Sequence, residues 1–335
     1  MSRFALCICI GAILQIALLL LSVAYGSADI SLQEVTGSIL RGIGLLGGEA
    51  SPMDRIVFDL RLPRALFSLL IGAGLGVVGV VLQTATRNDL ADPFLFGLSS
   101  GAATGAVFVI TITGDVLGFW TLPLAAFSGG MLATAIVLGL VARLRTSAPE
   151  KLILAGLAVS FLFSALTNFL VFSGDHRAAH SVIFWMLGGL GLARWSTLPL
   201  VILGAAAIIA FTMLSHRKLD ALLAGDATAN SLGVPVTALR RYAFIAAAFA
   251  TAIFVSVSGV IGFIGLMVPH IARALVGALH LRLSIVAAII GGALLTASDL
   301  LARVLLAPQE LPVGVITTSL GAVFVFTLLM MERPR

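Results

Sequence analysis

Ten long apolar stretches, joined by short charge-bearing segments, fill almost all of this 335-residue chain. They fall near residues 4–24, 63–83, 94–112, 119–141, 152–172, 197–214, 242–262, 263–279, 284–305 and 311–331. A run of about 20 apolar residues crosses a ~30 Å hydrocarbon core as a helix. Inside lipid each such segment must satisfy its own backbone hydrogen bonds, which leaves the helix as the available form. The pattern therefore predicts an all-α polytopic membrane protein of about ten transmembrane helices. Residues 1–335 read as a single transmembrane domain, with nothing left for a separate soluble domain.

Hydrophobic residues make up 60% of the chain and charged residues 10%, whereas soluble domains sit near 45–50% and about 25%. The net charge of +5 comes from Arg and Lys in the joints, with only two lysines, Lys151 and Lys218. It points to membrane orientation, not to nucleic-acid binding. Cys7 and Cys9 lie inside the first apolar run with no metal-site partners nearby, and read as packing residues. The first run follows Arg3 and ends in small residues, as a signal peptide would, but at 21 residues it is long for a signal core. It is expected to stay as the first span.

With the N-terminus inside, the inner joints hold thirteen Lys and Arg: Arg3, Arg87, Arg143, Arg145, Lys151, Arg217, Lys218, Arg240, Arg241, Arg273, Arg282, Arg333 and Arg335. The outer joints hold seven: Arg41, Arg55, Arg61, Arg64, Arg177, Arg194 and Arg303. This asymmetry predicts both termini in the cytoplasm. The 35 glycines include pairs at small-xxx-small spacing, Gly72 with Gly76 and Gly101 with Gly105, where helix backbones can meet closely. Divided after the fifth span, the ten fall into two halves of five, which suggests a 5+5 inverted repeat. The apolar piece around 182–192 is too short to span and reads as a half-helix at one surface. Residues 259–270 carry no charged break and leave a re-entrant path open.

Chemistry is sparse. Ion-coupled carriers place acids, His or Arg inside their spans, yet the second to fifth spans here have none in their middles. Asp299 and Arg303, one helical turn apart near the outer end of the ninth span, can pair. Ser256 and Ser258 lie near His270 without a nucleophile motif, so catalysis is not expected. No G-x-x-x-x-G-K-[ST] loop occurs, so any ATP hydrolysis belongs to another polypeptide. The joint 216–241, HRKLDALLAGDATANSLGVPVTALRR, reads as two short helices hinged at Gly225 and closed by Gly233 and Pro235.

Several motifs in order carry a resemblance over about residues 55–330: RLPR at 61–64, Gln83, NDLADP at 88–93, FWMLGGL at 184–190, GDATANSLGV at 225–234, SGVIGFIGLMVPHIAR at 258–273, DLLAR at 299–303 and ELPVGV at 310–315. Together they resemble the permease subunits of binding-protein-dependent ABC importers for ferric siderophores, haem and cobalamin. The resemblance implies a homodimer in lipid with the pathway on its two-fold axis. Two cytoplasmic ABC ATPase subunits would bind below, carrying ATP and Mg, and a periplasmic or lipid-anchored binding protein above. This chain would hold no cofactor, metal or catalytic group of its own. It would sit in the bacterial inner membrane and pass a ferric chelate, iron-siderophore ahead of haem or cobalamin.

By the same resemblance Arg61, Arg64 and Arg303 would dock the binding protein. Residues 216–241 would form the cytoplasmic coupling loop, with Gly225, Asp226, Ala229, Leu232 and Gly233 meeting the ATPase and Asp226 capping the second short helix. His180, Trp185, Gly188 and Gly189 would border the pathway. Asp175, His176, Arg177 and His180 form an outer polar cluster in which imidazole could face an iron porphyrin. The chain departs from the family pattern at Asp89, Asn230, Val323 and His180. The last of these bears on the substrate. The competing reading is an ion-coupled secondary transporter of a small organic solute.

Overall fold

The computed structural model describes residues 3–26, 30–42, 44–47, 52–143 and 149–331. Arg145, Arg333 and Arg335, and the side chains of His176 and Arg177, lie outside that description. Fourteen α-helices occur among the described residues: α1 (Arg3–Ala24), α2 (Leu32–Gly42), α3 (Pro52–Arg55), α4 (Leu62–Thr86), α5 (Leu98–Phe108), α6 (Thr121–Arg143), α7 (Pro149–Ser173), α8 (His176–Met186), α9 (Leu198–Leu223), α10 (Asp226–Ser231), α11 (Val236–Ser258), α12 (Ile264–Val276), α13 (His280–Val304) and α14 (Val313–Met331). Wide turns of π type at Ile56–Arg61 and Val109–Thr113 extend α4 and α5.

Eight helices are long and apolar enough to cross a membrane, and Leu98–Thr113 and α12 are shorter apolar segments. In chain order α1, α4, α5, α6, α7, α9, α11, α12, α13 and α14 make the ten expected crossings. Alternation then places α10 and both ends of the described chain on one side of the membrane, called here the α10 side. The short helices occupy the third place in each half and run in opposite directions, a placement consistent with an inverted repeat. Each starts from a left-handed residue, Gly97 (φ 78°) before α5 and Phe263 (φ 68°) before α12.

Boundaries differ from expectation at several places, the seventh span among them, which starts at Val236 instead of 242 and carries Arg240 and Arg241. The sixth span does not stop at 214 but runs to Leu223, carrying Arg217 and Lys218 with it. The surface half-helix is His176–Met186, not 182–192, because Gly188 in a left-handed turn (φ 69°) closes it. The eighth span is only the 13 residues of α12, since 259–263 are non-helical.

The fold is built around α4. In its most apolar stretch 83% of residues are buried, against 22% for α6 and α14, and α9, α11, α12 and α13 all pack on it. Lipid supplies no hydrophobic drive for helix association, so packing depends on close backbone approach. A Cβ on Gly72 would sit 2.2 Å from the Gly291 carbonyl oxygen, and one on Gly76 2.7 Å from that of Ala287. These contacts seat α4 flush on α13.

Against α12 the constraint is tighter. Pro269 has no N–H for the carbonyl four residues earlier, that of Gly265. The Gln83 side-chain amide donates to the Gly265 oxygen (3.3 Å) and to that of Leu266 (3.2 Å). A Cβ on Gly79 would lie 1.9 Å from the same Gly265 oxygen. Gln83 also accepts from Arg273 (3.1 Å), which reaches Asp89 at 2.9 Å. One glutamine therefore repairs the proline break and ties the α12 end to α4.

Gly79→Leu is expected to force α4 off α12 and destabilise the protein by roughly 1–3 kcal/mol or more. Gly139→Leu, where a Cβ meets nothing within 4 Å, should be silent. Fluorescence-detected size exclusion and thermal unfolding of both variants in detergent provide the check, with a sharp monodisperse peak surviving only for the second.

Candidate functional site

Two polar clusters sit at opposite ends of the paired α4 and α13. On the α10 side the chain leaves α9 through Gly225 (φ 99°), forms α10, and turns through Gly233 (φ 79°) into α11. Left-handed backbone suits glycine because a Cβ is strained there. Ala229 is fully buried in a small core with Leu219, Leu222, Val236 and Leu239. Leu232 is 67% exposed. The element is thus anchored by its own apolar underside and presents one apolar side chain outward.

Asp226 does not cap α10, whose N-terminus lacks a side-chain cap. The carboxylate instead takes a two-pronged pair from Arg240 (2.8 and 2.9 Å), with Arg87 3.7 Å away. Such planar pairing outweighs one backbone N–H. Arg240 Nε also donates to the Ala85 carbonyl at the end of α4 (2.9 Å). A second tether joins the same places. Asp220 of α9 accepts from the His280 backbone N–H (2.8 Å) and contacts His280 Nδ1 at 2.7 Å, while Nε2 lies 2.8 Å from the Thr84 hydroxyl. His280 is fully buried. Through these bonds the α9–α10–α11 corner is fastened to α4 and α13.

Nearby, the NDLADP segment carries the chain from α4 to α5. The Asp92 carboxylate accepts from the Phe94 N–H (3.0 Å) and caps the short turn 93–96, leaving its other oxygen without a partner. Burial pushes this carboxyl up to about 6, against the lowering effect of the Phe94 bond.

On the opposite side Arg61, Arg64, Arg303 and Glu310 line one cavity of about 220 Å³. These include the three arginines expected to dock the binding protein, and two of them are buried. Arg61 is 5% exposed and Arg303 2%. Arg61 donates to the Val23 and Ala24 carbonyls (3.0 and 2.7 Å), and Arg303 to those of Ser22 and Tyr25 (2.9 and 3.1 Å). The last carbonyls of a helix have no partners within it, and these two cations close the end of α1. Asp299, fully buried, joins Arg303 (3.1 Å) and also Arg64 (2.9 Å). Arg64 reaches on to Glu310 at 2.7 Å. Of the three, Arg64 is the one that keeps some access to water, its side chain 12% exposed.

The expected pathway residues lie on a third junction. Trp185 is buried, while His180 is exposed with its ring 4.7 Å from that of Phe184. Gly189 donates to the Ser258 carbonyl (2.8 Å). A Cβ on Gly188 would lie 2.1 Å from the Val260 oxygen, and one on Gly314 2.0 Å from that of Leu187. Gly188 and Gly189 therefore lock α8 onto the non-helical 259–263 segment and the start of α14. Among the described residues no three His, Cys, Asp or Glu side chains converge as a metal site.

Spacing found the glycine punctuation around α10. It missed Thr84, Asp220, Arg240 and His280, whose partners lie as far as 196 residues apart and leave no local pattern.

The profile of the FecCD transport family matches residues 13–331. The cobalamin import system permease protein BtuC of Halobacterium salinarum is 40% identical over 83% of this chain and 74% of its own length. The Fe(3+) dicitrate transport system permease protein FecD of Escherichia coli is 39% identical over 83% of this chain and 86% of its own length. A solved structure of a metal-chelate type ABC transporter in an inward-facing conformation superposes with a TM-score of 0.81 at 27% identity, covering 96% of this chain and 98% of that one.

Asp299→Asn removes the carboxylate that Arg64 and Arg303 share. Breaking a buried ion pair on one side typically costs about 3–5 kcal/mol. The variant is expected to unfold at markedly lower temperature, measured by differential scanning fluorimetry. An unchanged midpoint would mean that the arginines find other counter-charges.

Proposed function

The chain belongs to the FecCD transport family, and on that premise we propose that it is the membrane permease subunit of an ATP-driven, binding-protein-dependent importer. The observation that carries this reading is α10. It is a short helix between two left-handed glycines, bonded through Arg240 and Asp220 to the central helices, with Leu232 held outward. Such an element suits insertion into a cleft of a separate ATPase. The sequence contains no phosphate-binding loop of its own.

The excess of Arg and Lys on the α10 side assigns that side to the cytoplasm, with the chain in the cytoplasmic membrane. The protomer axis is filled by α4 at backbone contact, so a chelate-sized solute is assigned to the interface of two copies. Two ATPases below and one binding protein above complete the assembly. The two relatives named above, for cobalamin and ferric dicitrate, support a metal chelate as cargo. We assign a ferric chelate, with iron-siderophore first and haem or cobalamin next. Docking of the binding protein is proposed at the cavity that Arg61, Arg64 and Arg303 line. An acidic side chain of the binding protein would meet Arg64 there in place of Glu310. The carrier alternative gains no support from Asp299, whose carboxylate bridges Arg64 and Arg303 as a structural tie.

Arg64→Glu is expected to weaken binding-protein docking, with the deficit largest at low ionic strength where screening is slight. Surface plasmon resonance against the reconstituted permease measures it, and an unchanged Kd would remove the cavity from the docking surface. Gly233 meets nothing within 4 Å at the Cβ position, so Gly233→Val strains the turn without a clash, by roughly 1 kcal/mol or more. In proteoliposomes with the cognate ATPase, ATP hydrolysis should persist while substrate moved per ATP falls severalfold. Normal stoichiometry would displace the coupling assignment.

A further inference from the structure

A cavity of about 470 Å³ opens between α6, α9 and α11, beside the coupling corner. That volume lies within the roughly 300–1,000 Å³ typical of small-molecule sites. Its lining changes character with depth. Lys218 and Pro235 stand at the mouth, Ser215 lies one turn deeper, Phe211 and Tyr242 two turns, and Ala246 and Phe249 three to four. The order follows from the opposite directions of α9 and α11. Residues 218, 215 and 211 step into the membrane along one helix, as 235, 242, 246 and 249 do along the other.

Lys218 is the cation in the lining, and Arg217 and Arg241 adjoin lining residues in the chain. Arg217 precedes Lys218, and the Arg241 guanidinium lies 5.5 Å from the centre of the Tyr242 ring. Among the described residues Arg217, Lys218 and Arg241 have no ion-pair partner, whereas Arg87, Arg240 and Arg273 on the same face each meet a carboxylate. The nearby acids are engaged: Asp220 with His280 and Asp226 with Arg240.

We propose that this cavity is a site for one anionic phospholipid of the leaflet on the α10 side. Its phosphate meets Lys218 and the hydroxyls of Ser215 and Tyr242, and one acyl chain lies along Phe211, Ala246 and Phe249. A small, soluble anion would leave the apolar end empty, and an acyl chain without anionic charge would leave the nearby cations unmatched. Basic pockets between helices at a membrane face are where lipid phosphates are held. Lys218 and Pro235 flank the α10 element on either side, so a lipid seated there braces that corner. Only the naming of the leaflet as cytoplasmic rests on the functional reading, and lipid retention can be measured whether or not the chain transports.

The test is native mass spectrometry of the intact chain, reconstituted in mixed phosphatidylglycerol and phosphatidylethanolamine and stepwise delipidated. One phosphatidylglycerol per copy should outlast the phosphatidylethanolamine. Lys218→Ala should reduce its retention about fivefold, the factor that one interfacial lysine contributes, and Lys218→Arg should restore it. Ala246→Trp, which fills the apolar end and keeps every charge, should abolish retention. Equal retention of both lipids, or Lys218→Ala and Lys218→Arg retaining alike, would overturn the proposal. A Ser215→Cys variant shielded from a water-soluble maleimide only when the ATPase is added, or cross-linked to a second copy, would give the groove to a protein partner and overturn it too.

Discussion

Everything else in this protein hangs on α4 being able to lie against its neighbours backbone to backbone. In water, burying large side chains would hold a central helix. In lipid that drive is missing, and attraction comes from dispersion over close surfaces. Gly72 and Gly76 on α13, and Gly79 on α12, bring carbonyls within reach of a missing methyl group. The middle of the protomer holds uncharged polar side chains such as Gln15, Thr104, Thr134, Thr212 and Thr251. The ion pairs gather at the ends of α4.

Those ends are complementary. On one side Arg64 shares Asp299 with Arg303. On the other, Thr84 and the Ala85 carbonyl receive His280 and Arg240. Each cluster joins α4 to α13, and each also reaches a peripheral piece: α1 on one side, the α9–α10–α11 corner on the other. Because the intervening contact is between backbones, there is little soft side-chain material to absorb a displacement. A push at the corner is passed to a pair of helices that move as one body.

The periodic, local features could be read in advance. Ten apolar runs gave ten crossings, and the glycines at 225 and 233 marked the turns around α10. What the sequence alone left dark was the assignment of buried cations. Arg61 and Arg303 look like surface charges beside a headgroup region. They are turned inward onto the last carbonyls of α1, which need donors. That need arises only when α1, α4 and α13 meet. Asp226 was misread for the parallel reason: its place at a helix start suggests a cap, but Arg240 arrives from the next helix and wins it. His280 and Asp220 carry no motif at all. Gln83 was visible as part of a motif, and its task became clear only once Pro269 was seen to strand a carbonyl across the helix interface.

The brevity of α12 has a consequence for distance. Thirteen residues rise about 20 Å, some 10 Å less than a typical hydrocarbon core. The difference is made up by the irregular segment at 259–263, stapled to α8 and α14 through Gly188, Gly189 and Gly314. Irregular backbone at that depth survives because protein, not lipid, surrounds it. Beside α12 the regular, insulating part of the wall is therefore thinner than the bilayer in which it sits. Any solute crossing next to it meets a septum set by the short helix, with a shallow vestibule of main-chain dipoles above.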